Sequence, residues 1–99
     1  MEVKIEQENG KELVSIIGRL DTTTAAELER AVSPILEPGK EVIFECKDLA
    51  YVSSSGLRVI LLVYKKLSAT GGSFQLRNVQ PAIKSVFDMT GFSRFLTIE

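Results

Sequence analysis

The sequence predicts one α/β domain with a mixed, mostly parallel β-sheet, an antiparallel hairpin at its start and about three to four α-helices. Two observations carry this reading. Apolar spacing switches repeatedly between the strand and helix periods after residue 20, and Asn9-Gly10 lies between two short alternating runs. A chain of 99 residues makes one compact domain, 1–99, and leaves no room for a second.

The elements follow in order. Val3 and Ile5, and then Leu13, Val14, Ile16 and Ile17, alternate with polar neighbours on either side of Asn9-Gly10. Asn-Gly suits the tight turn whose twist matches paired strands, so two strands are expected, the second ending at Gly18. Thr24-Ala-Ala-Glu27 has the form of a capping box. Ala25, Leu28, Val32, Ile35 and Leu36 recur at helical spacing behind it, which predicts a helix over about 23–36. Pro34 is costly inside a helix and should bend or end its last turn. Glu41–Cys46 reads as a central strand buried on at least one face.

Leu57, Ile60, Leu61, Tyr64 and Leu67 mark the inner face of a second helix, which ends at Gly71-Gly72. Ser73–Arg77 alternates as a strand. Pro81 suits the first turn of a third helix, with Ile83, Val86 and Phe87 inward and Gly91 at its end. Phe87, Met89 and Phe92 read as core or its margin, and Phe95–Ile98 supplies a last strand. Strands alternating with helices imply parallel crossovers.

Composition removes several function classes. Net charge is −1 with both signs scattered, so no basic stripe is available for nucleic acid. The polar, acidic N-terminus is unlike a signal peptide, and the apolar runs are too short to insert in a membrane, so a cytoplasmic protein is expected. The chain has no histidine, which excludes Ser-His-Asp and Cys-His catalysis and the commonest zinc sites. Cys46, alone in an apolar run, reads as a buried structural thiol. No phosphate-binding Gly-x-x-x-x-Gly-Lys-Ser/Thr loop is present, and the sequence requires no cofactor. A serine nucleophile would need a lysine base, and Lys65 and Lys66 lie about two turns or more away with a solvated-face pattern. The chain reads as a binding module and not an enzyme.

The segment Asp48-Leu-Ala-Tyr-Val-Ser-Ser-Ser-Gly-Leu-Arg58 needs its own account. Its serines open a helix. One hydroxyl is enough to satisfy a free amide of the first turn, which leaves two unexplained. The same place favours a phosphate, because free amides and the helix dipole give it positive character. Both readings stand on physical grounds.

That segment resembles the signature of STAS domains in anti-sigma-factor antagonists. Gly18-Arg-Leu-Asp21, followed by threonines, resembles the family's opening of its first helix. Pro81-x-Ile-x-x-Val-Phe-Asp-Met-Thr-Gly-Phe92 resembles its third-helix segment. The resemblance implies the STAS fold, and a phosphorylation-switched antagonist that sequesters an anti-sigma factor and so frees a sigma factor. The implied partner is an anti-sigma factor and serine kinase of GHKL type, and a PP2C-type phosphatase resets the switch. By position the phosphoacceptor is Ser54, with Ser53 and Ser55 as alternatives. Asp21, Thr22, Ser53, Ser55, Gly56 and Arg58 are the expected partner-binding residues. Gly56 is expected near the partner, where a side chain would obstruct the contact.

Two positions depart from the pattern. Ser53 stands where the family has an aspartate, and Arg58 where a small residue is common. Arg58 is either a solvated arginine or, four residues after Ser54, a counter-charge for a phosphate there. The rival function is a constitutive STAS accessory subunit of a transporter or lipid-transport ATPase, which needs no phosphate cycle.

Overall fold

The computed structural model describes residues 1–99. Strand β1 (Glu2–Glu8) turns at Asn9-Gly10 into β2 (Lys11–Leu20), with Glu8 opposite Lys11. Asn9 and Gly10 have φ of 53° and 80°, so both turn residues take the left-handed conformation that this two-residue hairpin requires. Helix α1 (Thr22–Val32), β3 (Glu41–Glu45), β4 (Leu49–Val52), α2 (Ser54–Ala69), β5 (Ser73–Arg77), α3 (Pro81–Thr90) and β6 (Thr97–Ile98) follow. The main sheet has the order β1-β2-β3-β5-β6, antiparallel only between β1 and β2.

One face of the sheet is covered by all three helices. Val14 and Ile16 of β2, Val42 and Phe44 of β3, and Phe74 and Leu76 of β5 share that face, in the order their registers dictate. Leu28 and Val32 of α1, Ile60, Val63 and Leu67 of α2, and Ile83 and Phe87 of α3 close over them. A side chain of this size contributes roughly 1.5–3 kcal/mol when fully buried, so the fold rests on this layer. Cys46 belongs to it and is fully buried. Burial and then the Glu45 charge push its thiol pKa to about 12. It is inert at neutral pH.

The opposite face is mostly polar around the buried Ile43. Its best-anchored group is Glu45, only 8% exposed, which takes bonds from Arg77 Nε (2.9 Å), Asn78 Nδ2 (3.0 Å) and the Lys47 amide (3.1 Å). Burial pushes the Glu45 carboxyl up, and these donors together outweigh it, so its pKa lies below the ordinary glutamate value. The network ties β3 to the end of β5.

Several sequence expectations are corrected. Strand β2 does not stop at Gly18 but runs on to Leu20. From Gly18 on its neighbour is β4 and no longer β3, with a register shift between Gly18 and Arg19 that leaves Ala50 of this four-residue strand unpaired. Helix α1 ends at Val32 and not near residue 36, and Pro34 breaks its last turn as expected, sitting in a 3-10 turn, Ser33–Ile35. The cap of α1 is Asp21 with Thr24, not Thr24 with Glu27. In α2, Val59 and Val63 are fully enclosed while Leu61 and Tyr64 are half-buried, because the helix packs against α1 as well as the sheet. Met89 is 81% exposed and is not core. At 100° per residue it lies far around the helix from Ile83 and Phe87. The last strand is only Thr97–Ile98, since Phe92–Arg94 forms a 3-10 turn.

Candidate functional site

The change of partner along β2 builds the site. By pairing the last residues of β2 with β4 in parallel, it places the carboxyl ends of two strands side by side. Each then runs directly into a helix, β2 into α1 and β4 into α2. The Ser53 amide donates to the Leu20 carbonyl at 2.8 Å, and Gly18 N–H to the Asp48 carbonyl at 2.9 Å, which locks the two strand ends together. Two helix N-termini therefore open at the same end of the domain. Asp21, Thr22, Ser53 and Ser54 are brought together there from points more than thirty residues apart in the chain.

Asp21 is the N-cap of α1. Its carboxylate accepts from the amides of Thr24 (3.0 Å) and Thr23 (3.1 Å), and its own amide donates to Thr24 Oγ1 at 2.8 Å. The Thr24 hydroxyl is anchored in turn on the Arg19 carbonyl at 2.7 Å. The Thr24 amide and then its side chain hold the Asp21 carboxyl below its ordinary value, against a smaller effect of burial, with Thr23 and the Arg19 charge adding to the fall. The carboxylate is thus ionised and fixed at neutral pH. Thr22, beside it, is exposed.

The three serines separate into different roles. Ser53 is the N-cap of α2: its backbone is extended (φ −93°, ψ 174°) and its hydroxyl accepts from the Gly56 amide at 3.2 Å. Serine and aspartate cap helices about equally well, so the departure from the family aspartate costs the helix little. Ser54, the first residue of α2, is exposed, and Ser55 is half-buried. Ser54 is therefore the most accessible of the three and the one not needed to start the helix.

Gly56, expected near the partner, has a packing role in the fold. It is buried, and a Cβ there would lie 2.7 Å from Leu20 Cγ and 3.0 Å from Val52 Cγ2. Its lack of a side chain lets α2 press onto the ends of β2 and β4. Arg58 is exposed, one turn beyond Ser54 on the same helix. It borders a groove between α2 and α1 with Glu29, Val59 and Leu62, yet no ion pair joins it to Glu29.

The structure adds a pair that the sequence does not reveal. Arg19 lies over the ring of Tyr51, 4.1 Å from its centroid, where β2 and β4 run in register. Without knowledge that β4 exists and pairs with β2, nothing connects these residues.

Known proteins share this architecture. The STAS domain family model matches residues 2–99. The chain is similar to the anti-sigma-B factor antagonist of Bacillus subtilis (strain 168), 30% identical over 96 residues that cover 97% of this chain and 88% of the relative. Its fold is similar to that of an anti-sigma factor antagonist from Mycobacterium paratuberculosis, with TM-score 0.87 at 23% identity over 98% of this chain and 83% of the other. The Bacillus cell fate determinant SpoIIAA, solved in its phosphorylated form, is similar in fold with TM-score 0.76 at 21% identity, covering 99% of this chain and 91% of that one. With a family match running almost from end to end, on a mixed sheet whose serine loop opens α2, the chain belongs to the STAS domain family.

Proposed function

We propose that this protein is an anti-sigma factor antagonist, a cytoplasmic binding module switched by phosphorylation of Ser54. In its unphosphorylated state it binds an anti-sigma factor that is also a GHKL-type serine kinase, and a sigma factor is released. Phosphorylation of Ser54 by that kinase breaks the complex, and a PP2C-type phosphatase restores it. No step of this cycle makes the protein itself an enzyme. The antagonist role draws on the Bacillus subtilis relative, which carries that name and aligns over nearly the whole chain.

The observation that supports the switch is the division of labour among the serines. Ser53 is committed to the cap and Ser55 is half-buried, which leaves Ser54 exposed at the start of α2. A phosphate there adds roughly −1.5 to −2 charges to a surface that a partner must desolvate. A loss of about 3 kcal/mol would weaken a complex more than a hundredfold. The free protein tolerates the same charge, because Ser54 stands in the first turn of α2, where the helix dipole favours anions. The rival reading, a constitutive accessory subunit, drew on the missing aspartate, and capping by Ser53 accounts for that residue without it.

Incubation with a GHKL-type kinase of the same organism and ATP, followed by fragment mass analysis, tests the assignment. Phosphate is expected on Ser54 and absent from Ser54→Ala. Phosphate on Ser53 or Ser55 would overturn the choice of residue.

A further inference from the structure

We infer that the Arg19–Tyr51 pair is a second contact of the partner interface, built to receive a carboxylate of the bound protein. The inference rests on the proposed function for the existence of that partner, and on the structure for the site. Leu20 and Val52, which pair in register, are buried beneath Gly56, so their neighbours Arg19 and Tyr51 project from the other side of the same strand ends. Arg19 is exposed and Tyr51 is 39% exposed. Two large side chains in this position would ordinarily be mobile. Here the guanidinium is stacked on the phenol ring at 4.1 Å, and the backbone on both sides is tied by the Gly18–Asp48 and Ser53–Leu20 bonds.

The chemistry of the pair is specific. The Arg19 guanidinium, its carbon over the ring, takes part in no ion pair within the chain, which leaves its planar N–H fork unpaired. That planar fork matches a carboxylate in a bidentate pair, and the stack has already reduced the mobility that binding would otherwise remove. Arginine and tyrosine are also the residue types that most often dominate protein interfaces. The pair is continuous with the site, since Arg19 lies two residues before Asp21 and Tyr51 two before Ser53. Its projection away from the α2 side favours an acidic side chain of the partner over a phosphate on Ser54.

The test is calorimetric titration of the unphosphorylated protein with the GHKL-type kinase that binds it, beside a thermal melt of each variant. Arg19→Ala should weaken binding roughly tenfold and Arg19→Glu further, with melting temperatures near that of the wild type because the side chain is exposed. Arg19→Lys should recover only part of the loss, because an ammonium keeps the charge without the fork. Tyr51→Ala should weaken binding several-fold, and less so once Arg19 is already alanine. Wild-type affinity in Arg19→Glu would overturn the inference and leave the proposed function standing. So would a loss seen only after Ser54 is phosphorylated, which would make the pair a phosphate contact. If no GHKL-type kinase binds the wild type, the proposed function fails, and the inference with it.

Discussion

Single side chains at the serine end divide between building the fold and facing outward, and substitution separates the two. Ser53→Ala removes the acceptor for the Gly56 amide and should cost about 1 kcal/mol in chemical denaturation, whereas Ser53→Asp should change little. Gly56→Ala places a carbon within 2.7 Å of Leu20 Cγ. Roughly 1–3 kcal/mol of stability should be lost, and affinity per folded molecule should be unchanged. A drop in affinity without a drop in stability would return Gly56 to the interface. Arg58, exposed and one turn above Ser54, is the nearest candidate counter-charge on the helix itself. Phosphorylation should raise the melting temperature of the wild type more than that of Arg58→Ala, with a coupling of about 1 kcal/mol in the four-species cycle. Zero coupling would leave Arg58 as a solvated cation.

Elements that announce themselves by long periodic patterns were legible in the sequence, and those fixed by partners were not. The hairpin, α2 and α3 follow from turn chemistry, apolar spacing and flanking Pro or Gly. Strand β4 has four residues and only one strand partner, so neither its length nor its pattern sets it apart from a loop. Missing it also hid the extension of β2, the meeting of the two helix N-termini and the Arg19–Tyr51 pair. The serines, Asp21 and Arg58 were recognisable from residue type and order, but which serine caps and which is exposed depends on where α2 starts. Packing at Gly56 was invisible for the same reason, since Leu20 approaches it through the unseen strand pair.

The Glu45 network is likewise tertiary, joining β3 to residues more than thirty positions away. Its lowered pKa means it stabilises the fold at neutral pH, where the unfolded chain is also ionised. That contribution fades as pH falls from the ordinary value of 4.5 through the lower folded one. The stability gap between wild type and Glu45→Gln should therefore be widest near neutrality and narrow in acid, as denaturant titrations across pH would show. Arg77→Leu, which strips a charged donor from a nearly buried carboxylate, should cost roughly 1.5–3 kcal/mol.

At the scale of the whole molecule, the core is separate from the proposed switch. The helices and the covered face of the sheet carry the stability, and the exposed ends of β2 and β4 carry Asp21, Thr22 and Ser54. In the proposed cycle such a domain gains a phosphate without refolding, and the phosphate alters the surface that a partner meets. No helix is long and apolar enough to cross a membrane.

The measurement that bears on this mechanism with least ambiguity is the affinity of the GHKL-type partner for two preparations of the wild-type protein. One is unmodified, and the other carries a single phosphate located on Ser54 by fragment mass analysis. The unmodified form should bind, and the phosphorylated form should bind more than a hundredfold more weakly while melting at the same or a higher temperature. Equal affinities for the two forms would contradict the switch, and a weakened complex accompanied by a lower melting temperature would mean that the phosphate acts by disturbing the fold.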